Sequence, residues 1–451
     1  MSDSITLEDR TVPVRYDVDV AVVGAGAAGM AAAYTAAQEG AETLLIDAEG
    51  YFGGTSTGGG LATFCGFFSC TTDGSPPEKI VAGVADEVLD GLADRDALEG
   101  PISLRDRTSI YVYDPEALKL VFDDLVDGGS VTPLLNALVT DVVTTPGEGG
   151  RDRVEAIVAE HPAGPLAIRA EQVIDASGDG ALAHRAGAAV NHVPEECQSS
   201  TTIFFAGGVD EEAARAHSMA DVRSAMAEAV ERGDYDLPKT DGIFLLLSGK
   251  GKAWVNFTDV PVDPMDAAAR SHGVMDGRSQ AERYMEFFRN ELEGFGEAYI
   301  DSIAPRLGIR ETRKVIGEYV LTHDDFLENA RFDDAVAHCG WARENHDPET
   351  RASDWEWLPE GGYYDIPYRS LVVRDLENAL VAGRCASASH EVQASMRVIG
   401  TAFAMGEAAG VAAAMAATES DADPRDLDVH RIQSQLAARG AFLRDGIRAL
   451  H

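Results

Sequence analysis

Gly24-Ala-Gly26-Ala-Ala-Gly29 stands between an apolar run, Val18–Val23, and an Ala-rich stretch that reaches about Gln38. No other feature of the 451-residue chain restricts its fold as much. A second apolar run, Glu42–Ile46, follows Gly40 and ends at Asp47. Strand, glycine turn, helix, strand and acid thus follow one another within roughly thirty residues, the opening of a doubly wound α/β domain that holds a dinucleotide.

Each position has a physical task. Gly24 permits the tight turn, Gly26 lets the backbone approach a pyrophosphate, and Gly29 lets helix and strand pack closely. Ala27 and Ala28 lie in the first turn, where free N–H groups and a partial positive charge favour a diphosphate. Asp47 can accept hydrogen bonds from ribose hydroxyls and would repel a 2′-phosphate. A helix used only for packing needs none of this coincidence. The motif alone does not separate FAD from NAD.

Further along, Pro77–Leu92 has helical periodicity. Asp114-Pro115-Glu116 predicts a helix start, with an Asp cap, Pro at the first helical position and an acid in the first turn. Residues 136–175 alternate as strands, with turns at Gly147–Gly150 and Pro162–Gly164, and Gln172–Asp175 reads as a buried strand. Thr201–Ala206, Ile243–Leu247 and Ala253–Phe257 predict strands; Glu211–Glu231 and Gln280–Glu293 predict long surface helices. The expected architecture is α/β: a discontinuous Rossmann-like domain over 15–195 and 365–440, with an inserted α+β cap domain over 196–364.

Charge limits the partners. Asp and Glu number 76 against 37 Lys and Arg, and only six of those cations are Lys. A net charge of −39 repels nucleic acid and anionic lipid. It reads as salt adaptation of the kind found in halophiles, because concentrated salt screens self-repulsion. Five scattered cysteines fit a reducing cytoplasm better than a disulfide framework. The first sixteen residues lack the basic and apolar regions of a signal peptide. Neither small-residue stretch, Ala21–Ala37 or Thr401–Ala417, reads as a membrane span.

Other segments carry a resemblance. These are Gly53–Gly60, Ser177-Gly178-Asp179-Gly180, Gly308–Arg313, Tyr364–Arg369, Leu380–Cys385 with its Gly383, and Arg397-Val-Ile-Gly400. Over nearly the whole chain they resemble the FAD-dependent oxidoreductases of the glutathione-reductase-like superfamily, in the branch related to fumarate reductases. The resemblance implies that Gly54, Thr55 and Ser56 line the flavin and its phosphates, and that Asp179 approaches the ribityl or ribose region. It also implies that the helix opening at Gly400 and Thr401 points its N-terminus at the pyrimidine side of the flavin. Gly406 and Gly410 are expected to serve helix packing. Relatives that attach FAD covalently use a His near the glycine-rich loop, and none lies between Tyr51 and Cys70, so FAD is expected to be non-covalent.

Hydride chemistry belongs to the flavin, so the protein must hold a substrate and manage one proton. Arg310, Arg313, Arg369 and Arg397 are candidates to bind a carboxylate bidentately, with Arg310 and Arg397 the preferred pair. His390 and His338 are the acid–base candidates. Tyr364 and Tyr368 read as core residues. Cys65 and Cys70 have the spacing of a redox pair but the wrong distance from Gly53-Gly54 and no second glycine fingerprint, so disulfide reduction is rejected. His338, Cys339 and His346 do not make a metal set, and no metal or iron–sulfur site is expected. The expected function is hydride transfer between FAD and a small, carboxylate-bearing molecule. The alternatives are a flavin monooxygenase using NAD(P)H and oxygen, and a subunit passing electrons to a protein acceptor.

Overall fold

The computed structural model describes residues 10–418 and 422–445. At its centre Val14–Val23 pairs in parallel with Thr43–Ile46 on one side and with Gly164–Asp175 on the other. Thr132–Leu134 extends the parallel sheet beyond Thr43–Ile46, and Ala379–Val381 pairs in parallel with the end of Gly164–Asp175. The chain therefore returns to the first sheet after long intervening segments, as a discontinuous Rossmann-like domain requires. The antiparallel strands Asp152–His161 and Leu138–Pro146 complete the sheet. Their turns fall at the expected glycines.

The helix Ala27–Gln38 packs against one face of this sheet and against Ile399–Thr418. A Cβ on Gly406 would lie 2.1 Å from the Ala28 carbonyl oxygen, and one on Gly410 would lie 2.5 Å from that of Ala32. The two helices thus approach backbone to backbone, which accounts for the small residues of both. Ile399–Thr418 has 20 residues and is apolar enough to cross a membrane, but most of it is buried inside the protein. Asp114 caps Pro115–Gly128 by accepting from Glu116 N at 3.0 Å, as the sequence predicts.

A second layer carries an antiparallel sheet in the order Ile243–Leu247, Lys252–Asn256, Phe204–Gly207, Tyr299–Ile303. Its apolar core draws on residues between Phe204 and Ile303. Phe326, Ala335–Cys339, Trp341 and Leu358, assigned by sequence to the cap, pack instead into the principal core with the Ala27–Gln38 helix.

Three helices differ from expectation; the one expected over Pro77–Leu92 begins only at Val84, after Gly83 with φ +71°. The helix expected from Gln280 begins at Ala267, where Asp266 caps it by accepting from Ala269 N at 2.7 Å. Gly273 and Gly277 hide that first half, because glycine lowers helix propensity. At Gly277 the glycine makes room for a neighbour, since a Cβ would stand 1.9 Å from Thr202 Oγ1. The helix expected over Glu211–Glu231 is two, Glu211–Ala214 and Met219–Glu231, because Ser218 caps the second by accepting from Asp221 N.

Candidate functional site

The carboxyl ends of the central parallel strands open onto a cavity of about 950 Å³. This is near the top of the roughly 300–1,000 Å³ range of ligand cavities, and it sits where doubly wound sheets bind ligands. The glycine turn, the Gly53–Gly59 loop, the Ala176–Asp179 turn, Gly383-Arg384 and the start of Ile399–Thr418 wall one end. The inserted sheet, through Ile243, Leu245 and Trp254, walls the other side.

The nucleotide end meets its expected requirements. Gly24 adopts φ +97°, and its N–H donates to Ile46 O at 2.8 Å. A Cβ on Gly29 would lie 1.7 Å from Gly24 O, so helix and turn touch there. Gly26 has no atom within 4 Å of a would-be Cβ. That leaves the first turn, with its unpaired N–H groups, open to a diphosphate. Gly26, Ala27, Ala28, Gly54 and Thr55 line the cavity. Asp47 lines it too, its carboxylate fixed by Ala25 N at 2.7 Å and Glu49 N at 2.8 Å. Each oxygen keeps capacity for a further donor, as a ribose site needs. These residues fit FAD.

Several expected cofactor residues sit elsewhere or act otherwise. Ser56 is buried, and its hydroxyl donates to Gly53 O at 2.6 Å, bracing the loop from behind. Gly400 lies beneath Gly66, where a Cβ would be 2.6 Å from that residue's carbonyl carbon. Thr401 is fully buried beside Gly66 with Oγ1 unpartnered, while Val398, Ile399 and Ala402 face the cavity in its place. Asp179 and Gly383 do line the cavity, but Asp179 is engaged by Arg384 Nη2 at 2.8 Å and Thr312 Oγ1 at 3.0 Å.

Arg310 and Arg397 line the far end together with Lys239, Glu344, His346, Trp341 and Trp355. Arg310 donates to the Ser199 carbonyl. Burial, reinforced by Arg397, lowers the Arg310 pKa to about 10. Arg397 donates to Glu344 O at 3.1 Å, while its buried Nε has no partner. Burial opposes ionisation of Glu344, but His346, Arg397 and Arg310 outweigh it and hold the carboxyl well below its ordinary range. His346 is held neutral by burial and by Arg310. Its Nδ1 lies 3.2 Å from Lys239 Nζ and its Nε2 lies 3.1 Å from Glu344 Oε1. An ammonium offers only donors, so Nδ1 accepts and Nε2–H faces Glu344. Burial, then Arg310, lowers the pKa of Lys239.

The histidines chosen from sequence are not part of this end. His390 bonds Glu311 at 2.9 Å outside the cavity lining. His338 is fully buried between Tyr363 and Phe442, with Nδ1 2.9 Å from Asp365. Both hold structural carboxylates. Arg369 pairs with Asp334 and stacks on Tyr319, away from the cavity, whereas Arg313 lines it. Tyr364 and Tyr368 are core residues, with hydroxyls donating to Ser395 Oγ and Pro424 O. Cys65 lines the cavity as a free thiol, pushed up to about 12 by burial, and Cys70 is free and buried. Sequence reading missed Lys239 and the pair Glu344 and His346, which lie on segments more than a hundred residues apart with no shared motif. The one local hint was Glu344-Asn-His346, whose alternation sends both side chains to one face of a strand.

Among known proteins, the thiamine thiazole synthase of Methanococcus maripaludis strain C5 is 31% identical over 176 residues, which cover 37% of this chain and 58% of that protein. The chain thus spans less than two thirds of that relative's length. A geranylgeranyl bacteriochlorophyll reductase-like protein from Thermoplasma acidophilum aligns over 94% of this chain and 84% of its own at 15% identity, with TM-score 0.48. The flavin-dependent brominase Bmp2 aligns over 90% and 80% at 14% identity, with TM-score 0.45. The strand–turn–helix and its cavity agree with a family match that spans residues 19–436, and this chain belongs to the FAD dependent oxidoreductase family, with FAD as its cofactor.

Proposed function

We propose that this enzyme transfers hydride between FAD and a small organic anion whose charged group is a carboxylate. One observation carries the reading. Over the whole chain acids outnumber Lys and Arg two to one, yet among the cavity-lining residues Lys and Arg outnumber Asp and Glu two to one. A cavity that reverses the charge of its protein selects anions. The FAD diphosphate accounts for part of that preference at the nucleotide end. Arg310, Arg397 and Lys239 cluster instead around Glu344 and His346 and are left for the substrate.

Bound FAD supplies the two-electron centre that takes or gives hydride. Arg310 and the unpartnered Nε of Arg397 would hold the substrate carboxylate by charge-assisted hydrogen bonds. Trp341 and Trp355 would provide an apolar wall that keeps water out. One proton accompanies each hydride. Lys239 lines the cavity and is made a readier acid by burial and Arg310, so its Nζ would exchange that proton with the substrate while His346 Nδ1 accepts one of its hydrogen bonds and ionised Glu344 holds His346 in place.

The reading extends to non-covalent FAD, to kinship with the fumarate-reductase branch, and to a salt-adapted, cytoplasmic enzyme with a cap whose core draws on residues between Phe204 and Ile303. Electrons would leave or enter through substrate, oxygen or another acceptor, a protein included. The test is an anaerobic titration that follows flavin bleaching with a panel of small carboxylic acids and their neutral amide or alcohol analogues. Bleaching by acids, lost in Arg397→Ala, supports the proposal. Equal bleaching by the neutral analogues, or bleaching only by NADPH, overturns it.

A further inference from the structure

His192, Cys197 and Asp263 come together from three separate segments. His192 follows the short strand Val190–Asn191, Cys197 follows the turn Pro194–Glu196, and Asp263 precedes the helix Ala267–Glu291. None of them lines the cavity. His192 Nδ1 lies 3.7 Å from Cys197 Sγ, and His192 Nε2 lies 3.2 Å from Asp263 Oδ1. Despite that proximity, Nε2 is a buried atom with no hydrogen bond. One ligand atom from each residue can be chosen so that all lie within 4.8 Å of one another.

We propose that His192, Cys197 and Asp263 bind one divalent cation of the zinc class. Tetrahedral zinc with bonds of about 2.1 Å to nitrogen and to oxygen sets those two atoms about 3.4 Å apart, close to the 3.2 Å between His192 Nε2 and Asp263 Oδ1, so Nε2, the nitrogen left without a hydrogen bond, is the ligating one and Cys197 would close in to complete the set. A thiolate, an imidazole and a carboxylate together favour zinc over magnesium or calcium, which prefer oxygen alone. The surrounding charge is favourable. Glu195 and Glu311 also act on Cys197, and the neighbouring cation, Lys314, is already paired with Glu311. On binding, the Cys197 thiol releases its proton to solvent, and water completes the fourth position.

The site would clamp two segments that reach the cavity. Ser199, two residues after Cys197, is the carbonyl that accepts from Arg310, while Pro264 and Met265, next to Asp263, line the wall. Sequence spacing gives no hint of it, because Asp263 is far from the other two in the chain.

The test uses tag-free, flavin-loaded full-length protein, equilibrated with zinc chloride, desalted and analysed for metal by mass spectrometry. Wild type is expected to hold about one zinc per chain, and Cys197→Ser to bind it at least about a hundredfold more weakly with flavin content unchanged. Cobalt-loaded wild type is expected to show the intense ligand-field bands of a tetrahedral thiolate site at red wavelengths, clear of flavin absorption. Wild type that keeps no zinc, zinc retained equally by Cys197→Ser, or the absence of cobalt bands overturns the proposal. Should Cys197→Ser fail to fold, Asp263→Asn, on a part-exposed loop, serves for the same comparison.

Discussion

His346 Nε2 stands 3.1 Å from Glu344 Oε1, at the point where the buried guanidinium of Arg310 and that of Arg397 border the same cavity. The pair settles the charge of this corner. Glu344 is the ionised partner of two buried cations, and His346 remains neutral between it and Lys239. Removing the carboxylate takes away the acid that both guanidinium groups share, though Asp259 and Asp241 still act on Arg310 and Glu311 on Arg397. Glu344→Gln is expected to lose about 3 kcal/mol of stability at pH 7. Because the folded pKa of Glu344 lies well below the ordinary value of 4.5, that contribution is full above pH 4.5 and is lost progressively as the pH falls from there toward the depressed folded value. Denaturant unfolding of the two proteins at pH 7 and pH 4 measures both parts; equal stability at pH 7 would refute the assignment.

The two arginines predict a graded loss of substrate recognition. Arg397→Ala is expected to cost roughly tenfold to a hundredfold in kcat/KM for an acidic substrate, the scale of one hydrogen bond to a charged group. Arg397→Lys should recover part of it, because an ammonium keeps the charge but not the planar fork. Steady-state kinetics on both variants decides the matter. Arg369→Ala, on a side chain paired with Asp334 outside the cavity, serves as the neutral control.

Two glycines of one motif should fail in different ways. Gly29→Ala forces a Cβ to within 1.7 Å of Gly24 O, so it is expected to destabilise the apoprotein by about 3 kcal/mol or more. Gly26 has φ −71° and empty space around a would-be Cβ. Gly26→Ala is therefore expected to fold normally and yet bind FAD about a hundredfold more weakly, because the methyl group enters the diphosphate's place. Thermal unfolding of the apoproteins and FAD titration by fluorescence separate the two outcomes.

Glu407 carries a pH dependence far from the cavity. It is buried where the Val84–Ala93 helix begins, 3.4 Å from Val84 N and 3.5 Å from Arg439 Nε, and burial raises its pKa to about 7. A folded value above the ordinary 4.5 means that its contribution to stability is full below pH 4.5 and is lost as the pH rises through 7. The shift corresponds to roughly 3 kcal/mol. Glu407→Gln should consequently gain on wild type as the pH rises from 5 to 8. Paired melting curves across that range check the sign.

Salt should stabilise the native state strongly. With a net charge of −39, raising KCl from 0.1 M to 2 M is expected to lift the Tm by on the order of 10 °C through screening of self-repulsion. A flat or falling Tm would rule out salt adaptation.

The sequence by itself determined the nucleotide half of this protein. The turn, its helix, the second strand and Asp47 are contiguous, and local backbone geometry forces them into one arrangement whatever surrounds them. The Asp114 cap and the hairpin glycines at 147–150 and 162–164 were legible for the same reason. Arg310 and Arg397 were singled out because an arginine beside a glycine-rich segment in so acidic a chain is conspicuous, and both line the cavity. Tertiary structure alone decided the rest. Whether Ser56 or Thr55 faces the cavity depends on how the loop lies across Gly26. His338 and His390 were equal to His346 as letters, and only packing sent the first two to structural carboxylates and the third to the cavity. Lys239 meets His346 from more than a hundred residues away. Such meetings are set by how whole layers stack, through burial of apolar surface that no local pattern encodes.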